Sequence, residues 1–100
     1  MKLRLVIRSE ARADLVEAFD WYETQRMGLG EELLTQVRLS LDRIQDGSDR
    51  YAKVFRDVRR APVRRFPYSI YFLKVEHRII ILAVLHHRRD PKILRKRPGN

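Results

Sequence analysis

The sequence has no cysteine. That excludes a disulfide framework and any thiolate zinc site. It also lacks a long hydrophobic run. The longest stretches from Ile79 to Leu85, whereas a membrane span needs about 20 such residues. Leu3, Leu5, Val6 and Ile7 are too few for a secretion signal, and Arg4 and Arg8 interrupt them. These absences point to a soluble cytoplasmic protein without membrane association. No glycine-rich phosphate loop, nucleophile elbow or paired-carboxylate pattern is present, and Ser9, Ser40, Ser48 and Ser69 have no triad context. No cofactor is expected.

Acidic residues are scarce in the second half. Residues 1–49 hold seven Lys/Arg and ten Asp/Glu, whereas residues 50–100 hold fifteen and three. The net charge of +9 is therefore carried by a strongly basic second half. Such asymmetry suggests a polyanionic or acidic partner. RNA, DNA, an acidic protein surface or an anionic membrane would each satisfy it, and charge alone does not choose.

What is present reads as one small domain. At 100 residues and 44% hydrophobic content, the chain can bury a modest core. Leu3, Leu5 and Ile7 alternate as in a strand. Ser9 stands where a helix N-cap is wanted, with Glu10 in the first turn. Ala11, Leu15, Ala18, Phe19 and Tyr22 form one helical face, with Asp14, Glu17 and Asp20 expected opposite. Trp21-Tyr22 reads as core packing at helical spacing. Met27 to Gly30 break the pattern. A second helix follows to about Asp46, with a stripe at Leu29, Leu33, Val37, Leu41 and Ile44, and Gly47 as a left-handed stop. The two make an antiparallel helical hairpin.

Residues 48–56 carry no clear pattern. Val58 to Phe66 is a basic strand candidate in which Pro62 argues for an edge or a bulge. Tyr68 to Val75 places Ile70 and Phe72 on one face and Tyr71, Leu73 and Val75 on the other. Glu76-His77 marks a tight hairpin. Ile79 to Leu85 is apolar on both faces, which suits a central strand. Asp90-Pro91 ends the strand region. The expected architecture is α+β, in the order β-α-α-β-β-β, with the hairpin packed on a small, mainly antiparallel sheet. The domain is expected to cover residues 1–91, followed by a basic tail over 92–100.

Two constellations could carry chemistry. Arg64-Arg65-Phe66-Pro67-Tyr68-Ser69-Ile70-Tyr71 sets arginines beside strand tyrosines, which could hold phosphates and stack bases, or could simply solubilise an edge strand. His86-His87-Arg88-Arg89-Asp90-Pro91 follows the most hydrophobic strand. There His86 or His87 could act as a general base and Arg88 could stabilise phosphorane-like charge. Adjacent histidines on a strand point to opposite faces, so at most one faces a given site. No third ligand supports a metal site.

Taken together, several segments resemble the RelE/ParE toxin superfamily, and more closely its ParE branch. They are Ser9-Glu10-Ala11-Arg12-Ala13-Asp14-Leu15, Trp21-Tyr22, Phe66-Pro67-Tyr68-Ser69-Ile70-Tyr71-Phe72 and Val84-Leu85-His86-His87-Arg88-Arg89-Asp90-Pro91. The resemblance spans roughly residues 2–91 and implies a RelE-like fold. It also implies the toxin half of a type II toxin–antitoxin pair, of the kind associated with plasmid stabilization. A cognate antitoxin would neutralise it and would bring the pair to operator DNA. ParE-like members inhibit DNA gyrase, whereas RelE-like members cut mRNA on the ribosome. On the second reading Arg60 and Arg88 match basic positions of RelE, and His86 or His87 would supply the base. Ser69 and Leu94, however, stand where RelE has an arginine and a C-terminal tyrosine, which weighs against RelE-type cleavage. The first reading makes Arg59, Arg64, Arg65, Tyr68, Tyr71 and Arg89 target-binding candidates. An inactive relative that only binds an antitoxin is the third.

Overall fold

The computed structural model describes residues 2–97. Strand β1 (Arg4–Ile7) leads into helix α1 (Ser9–Gln25), and helix α2 (Leu29–Asp46) returns beside it. A single 3-10 turn (Ser48–Arg50) precedes four strands: β2 (Lys53–Phe55), β3 (Val58–Pro62), β4 (Tyr68–Val75) and β5 (Arg78–His86). A final 3-10 helix, η (Pro91–Lys96), closes the described chain. The expected order is present, with β2 as an additional short edge strand. The sheet runs β1-β5-β4-β3-β2, antiparallel except for the parallel β1–β5 pair. β5, apolar on both faces, is internal as its composition predicts.

The helical hairpin covers one face of the sheet. Ala11, Ala18, Leu33, Val37 and Ile44 pack on Ile70, Phe72, Ile79 and Ile81. On the other face Val58, Tyr71, Ile80, Leu82, Ala83 and Leu85 lie under Leu94 of η, itself 3% exposed. Residues 92–97, expected as a basic tail, thus contribute a core residue. Leu94 and Ile93 supply the apolar surface that a face not covered by α1 or α2 requires.

One irregularity sets the orientation of everything that follows. Phe72 pairs with Ile81, and the preceding residue of β4, Tyr71, pairs with Ala83. Leu82 is therefore an extra residue, a β-bulge, and it inverts the alternation beyond it. Val84 and His86 then face the helices together with Ile79 and Ile81, whereas regular alternation would have turned His86 to the opposite face.

Local details differ from the sequence reading. The α1 N-cap is Arg8, and it makes no side-chain cap bond. Ser9 is already helical, and its hydroxyl donates to Glu10 Oε1 at 3.2 Å. The Glu10 carboxyl is held below its ordinary value, first by a hydrogen bond from its own backbone N–H and then by Ser9. Gly47 does not adopt the left-handed stop, since its φ is −168°. The left-handed glycine is Gly28, at φ 88°, which enters α2.

Gly30 explains how closely the helices approach. A Cβ there would lie 2.7 Å from Phe19 Cδ2 and 2.9 Å from Glu23 Cγ. Alanine normally favours a helix interior over glycine by about 1 kcal/mol. Overpacking costs about 1–3 kcal/mol and reverses the sign here. Gly30→Ala is expected to lower the urea midpoint by a net cost of about 1 kcal/mol; an increase would show that the hairpin adjusts freely.

Candidate functional site

A groove of about 460 Å³ opens between the C-terminal half of α1, the β3–β4 turn and the end of β5. Its walls are Glu17, Trp21, Tyr22, Pro67, Tyr68 and His86. It continues into a smaller polar depression that shares Glu17, Tyr68 and His86 and reaches Arg89. An edge-to-face series of rings forms its base. Trp21 meets Tyr22 at 5.0 Å, Tyr22 meets Tyr68 at 6.0 Å, and Tyr68 meets His86 at 5.2 Å. Such pairs contribute about 0.5–1.5 kcal/mol each beyond burial, which makes the wall stiff.

Trp21 does not enter the core. It is 56% exposed, while Tyr22 takes the inward position. The inward stripe of α1 runs through Ala11, Ala18 and Tyr22, and Trp21 lies one residue, about 100°, to the side. An exposed tryptophan thus stands at the mouth of the groove.

Asp14, placed by sequence on the outer face, points inward. β1 ends at Ile7, so the edge of β5 beyond Ile81 has no neighbouring strand. Asp14 fills the gap: Oδ2 accepts from the Val84 N–H at 3.0 Å. Arg97 completes it, donating to both Asp14 oxygens (2.6 and 3.1 Å) and to the Leu82 carbonyl at 3.2 Å. One ion pair thereby joins α1, the free edge of β5 and the end of the described chain.

The two histidines separate as expected. His86 faces the groove. Its Nδ1 accepts the Arg88 backbone N–H at 3.0 Å, so in the neutral ring Nε2 carries the hydrogen and can only donate. His87 Nε2 lies 3.0 Å from the hydroxyl of buried Ser69, on the opposite face. Arg60 pairs with Tyr71 in register and shares that opposite face, so the sheet lies between Arg60 and His86. Arg88 and Arg89 are exposed in the turn after β5. Arg59 is held inward by the Tyr51 carbonyl at 2.6 Å and by Asp49. Tyr71 is 6% exposed beneath η. Arg64 and Arg65 are exposed in the β3–β4 turn, where Arg65 meets Glu32 at 3.4 Å. Of the binding candidates, then, Arg64, Arg65, Tyr68 and Arg89 border the groove end of the molecule, and Arg59 and Tyr71 are committed to the fold.

Burial raises the Tyr68 phenol above its ordinary value of 10.0, with Tyr22 and Glu17 adding to the shift. Tyr22 is raised by burial as well. A raised phenol favours the folded state fully below the unfolded value. That contribution is lost as pH climbs from about 10 through the folded value. The urea midpoint is expected to fall above pH 10, and Tyr68→Phe should flatten the decline. An unchanged slope in that variant would show Tyr68 to be freely solvated.

The chain matches the family model described as the ParE toxin of the type II toxin–antitoxin system, parDE, over residues 5–91. The chain belongs to the ParE toxin family. A chain in the solved structure of the chromosomal ParDE TA system from P. aeruginosa shares its fold, with a TM-score of 0.76 at 20% identity, covering 85% of this chain and 96% of that one. No curated protein matches it. Within this ParE-family chain, no helix among the described residues is long and apolar enough to cross a membrane.

Proposed function

We propose that this ParE-family toxin acts in the cytoplasm as a protein-binding poison of DNA gyrase, neutralised by a cognate antitoxin. The observation that carries the reading is the separation of the groups that RNA cleavage would need. Arg60 and His86 lie on opposite faces of the sheet, and the acceptor nitrogen of His86 is occupied by the Arg88 N–H. His87, which shares the face of Arg60, has its Nε2 engaged with the hydroxyl of buried Ser69 at 3.0 Å. A general base must reach the proton that it removes. The groove with Trp21 is where we place the antitoxin's apolar side chains. The exposed Arg64, Arg65 and Arg89 nearby would attract an acidic antitoxin segment and speed capture.

Purified toxin added to gyrase, ATP and relaxed plasmid is expected to block supercoiling or to trap cleaved DNA. Arg88→Ala alone should leave that activity within a few-fold, because most single truncations at a binding surface cost less than about 1 kcal/mol. Undisturbed supercoiling at saturating toxin would refute the gyrase reading.

A further inference from the structure

The face of the sheet away from α1 and α2 holds a second basic feature that the groove does not use. Arg4 of β1 and Arg78 of β5 are direct partners in the parallel register. Adjacent strands lie about 4.8 Å apart, and like charges placed opposite one another repel. Both residues follow the alternation of Val6 and Ile80, so they share the face on which η lies. At the same end of the sheet, the β2–β3 turn brings Arg56 and η brings Arg95. Their guanidinium carbons sit 5.2 and 5.8 Å from the centre of the Phe55 ring.

The register aligns these groups. Val75 pairs with Arg78, Leu73 with Ile80, and Phe55 with Val58 near the turn that carries Arg56. The four guanidiniums therefore stand as two pairs on the two sides of one sheet end, whose outermost strands lie about 19 Å apart at the usual strand spacing. Among the described residues none of the four has a carboxylate within ion-pair distance. Arg56 holds its place at φ 50°, in a two-residue turn where glycine or asparagine would be less strained. The self-repulsion is offset if a polyanion binds there.

We propose that this edge binds the phosphate backbone of double-stranded DNA directly, without an antitoxin and without reading bases. Three observations favour a duplex. The guanidiniums stand in two pairs set apart across the sheet end, farther than one phosphate spans, and duplex DNA offers one charge per about 1.7 Å of axis. Single-stranded RNA is usually held by exposed aromatic rings. Here Tyr71 is buried and Phe55 is flanked by two cations. A protein partner would want an apolar anchor, but the apolar side chains of this face lie against Leu94 and Ile93.

The test is fluorescence anisotropy of the purified full chain with a labelled mixed-sequence duplex of about 20 base pairs, at salt from 50 to 200 mM. Four phosphate contacts predict a slope of log affinity against log salt of about −3.6. The double variant Arg4→Gln/Arg78→Gln should reduce that slope by about 2 and weaken binding at least about tenfold at 50 mM salt, with a melting temperature no lower than the parent's because a like-charge pair is removed. A control that removes the same charge from the helices, Arg12→Gln/Arg38→Gln, should bind as the parent does. Equal weakening in the control would reduce the effect to net charge and overturn the proposal. So would tighter binding to single-stranded RNA of the same length, equal competition by oligoglutamate, or no binding at 50 mM salt.

Discussion

Asp14→Ala is expected to destabilise the protein by about 3–5 kcal/mol, the loss typical of breaking a buried ion pair from one side. The Asp14 side chain is 9% exposed and that of Arg97 is 12% exposed, so solvent cannot replace the lost partner cheaply. Three groups are affected together. The Val84 N–H loses its acceptor on an edge that no strand covers, and the Arg97 guanidinium is left without its counter-charge. The 3-10 helix that covers the second core face also loses its terminal anchor. In a domain of this size such a loss lowers Tm by more than about 10 °C. Asp14→Asn keeps an oxygen for Val84 but not the charge, and should fall between the parent and the alanine variant. Arg97→Ala in the Asp14→Ala background should add little, because the two residues act as a unit. If urea unfolding gives less than about 1 kcal/mol for Asp14→Ala, the pair behaves as a surface salt bridge and the anchoring role is wrong.

Trp21→Ala is expected to weaken antitoxin binding by at least about 30-fold, the effect of losing a hot-spot side chain worth about 2 kcal/mol. Fold stability should change little, because more than half of the residue already faces solvent. The ring offers a large rigid surface beside the groove lined by Tyr22, Pro67 and Tyr68. Titration calorimetry of the variant with purified antitoxin reads the loss directly. In cells the same variant should stay toxic while the antitoxin rescues growth less well. Unchanged affinity would place the antitoxin elsewhere on the surface.

Much of the fold was legible because its periods are clean. Alternation located β4 from Tyr68 to Val75, and the two-faced apolar run identified β5 as internal. Residues 53–55 form a strand too short to leave a period. In residues 92–97 basic composition concealed Ile93 and Leu94, whose role depends on a sheet face that only the tertiary fold creates. The bulge at Leu82 left no trace, since every neighbour is apolar and a one-residue slip changes no residue type. It nonetheless decides which histidine faces the groove. Asp14 was misplaced on the outer face of α1. It lies three residues after Ala11 and four before Ala18, on the inward stripe, and an acid in that position implies a buried partner. Arg97 is too distant in sequence to be named as that partner. For the candidate site, the basic turns and Tyr68 could be read from the sequence. Trp21 was misplaced because helical spacing alone does not separate adjacent aromatic residues by face.

The most direct test of the central claim is induced expression in a bacterial host, with total RNA and plasmid topology assayed in the same cells. Growth arrest with intact mRNA and relaxed or broken plasmid is the result that the gyrase-poison account predicts. Rapid mRNA cleavage with normal supercoiling would contradict it and return Arg60, Arg88 and the histidines to the centre of the mechanism.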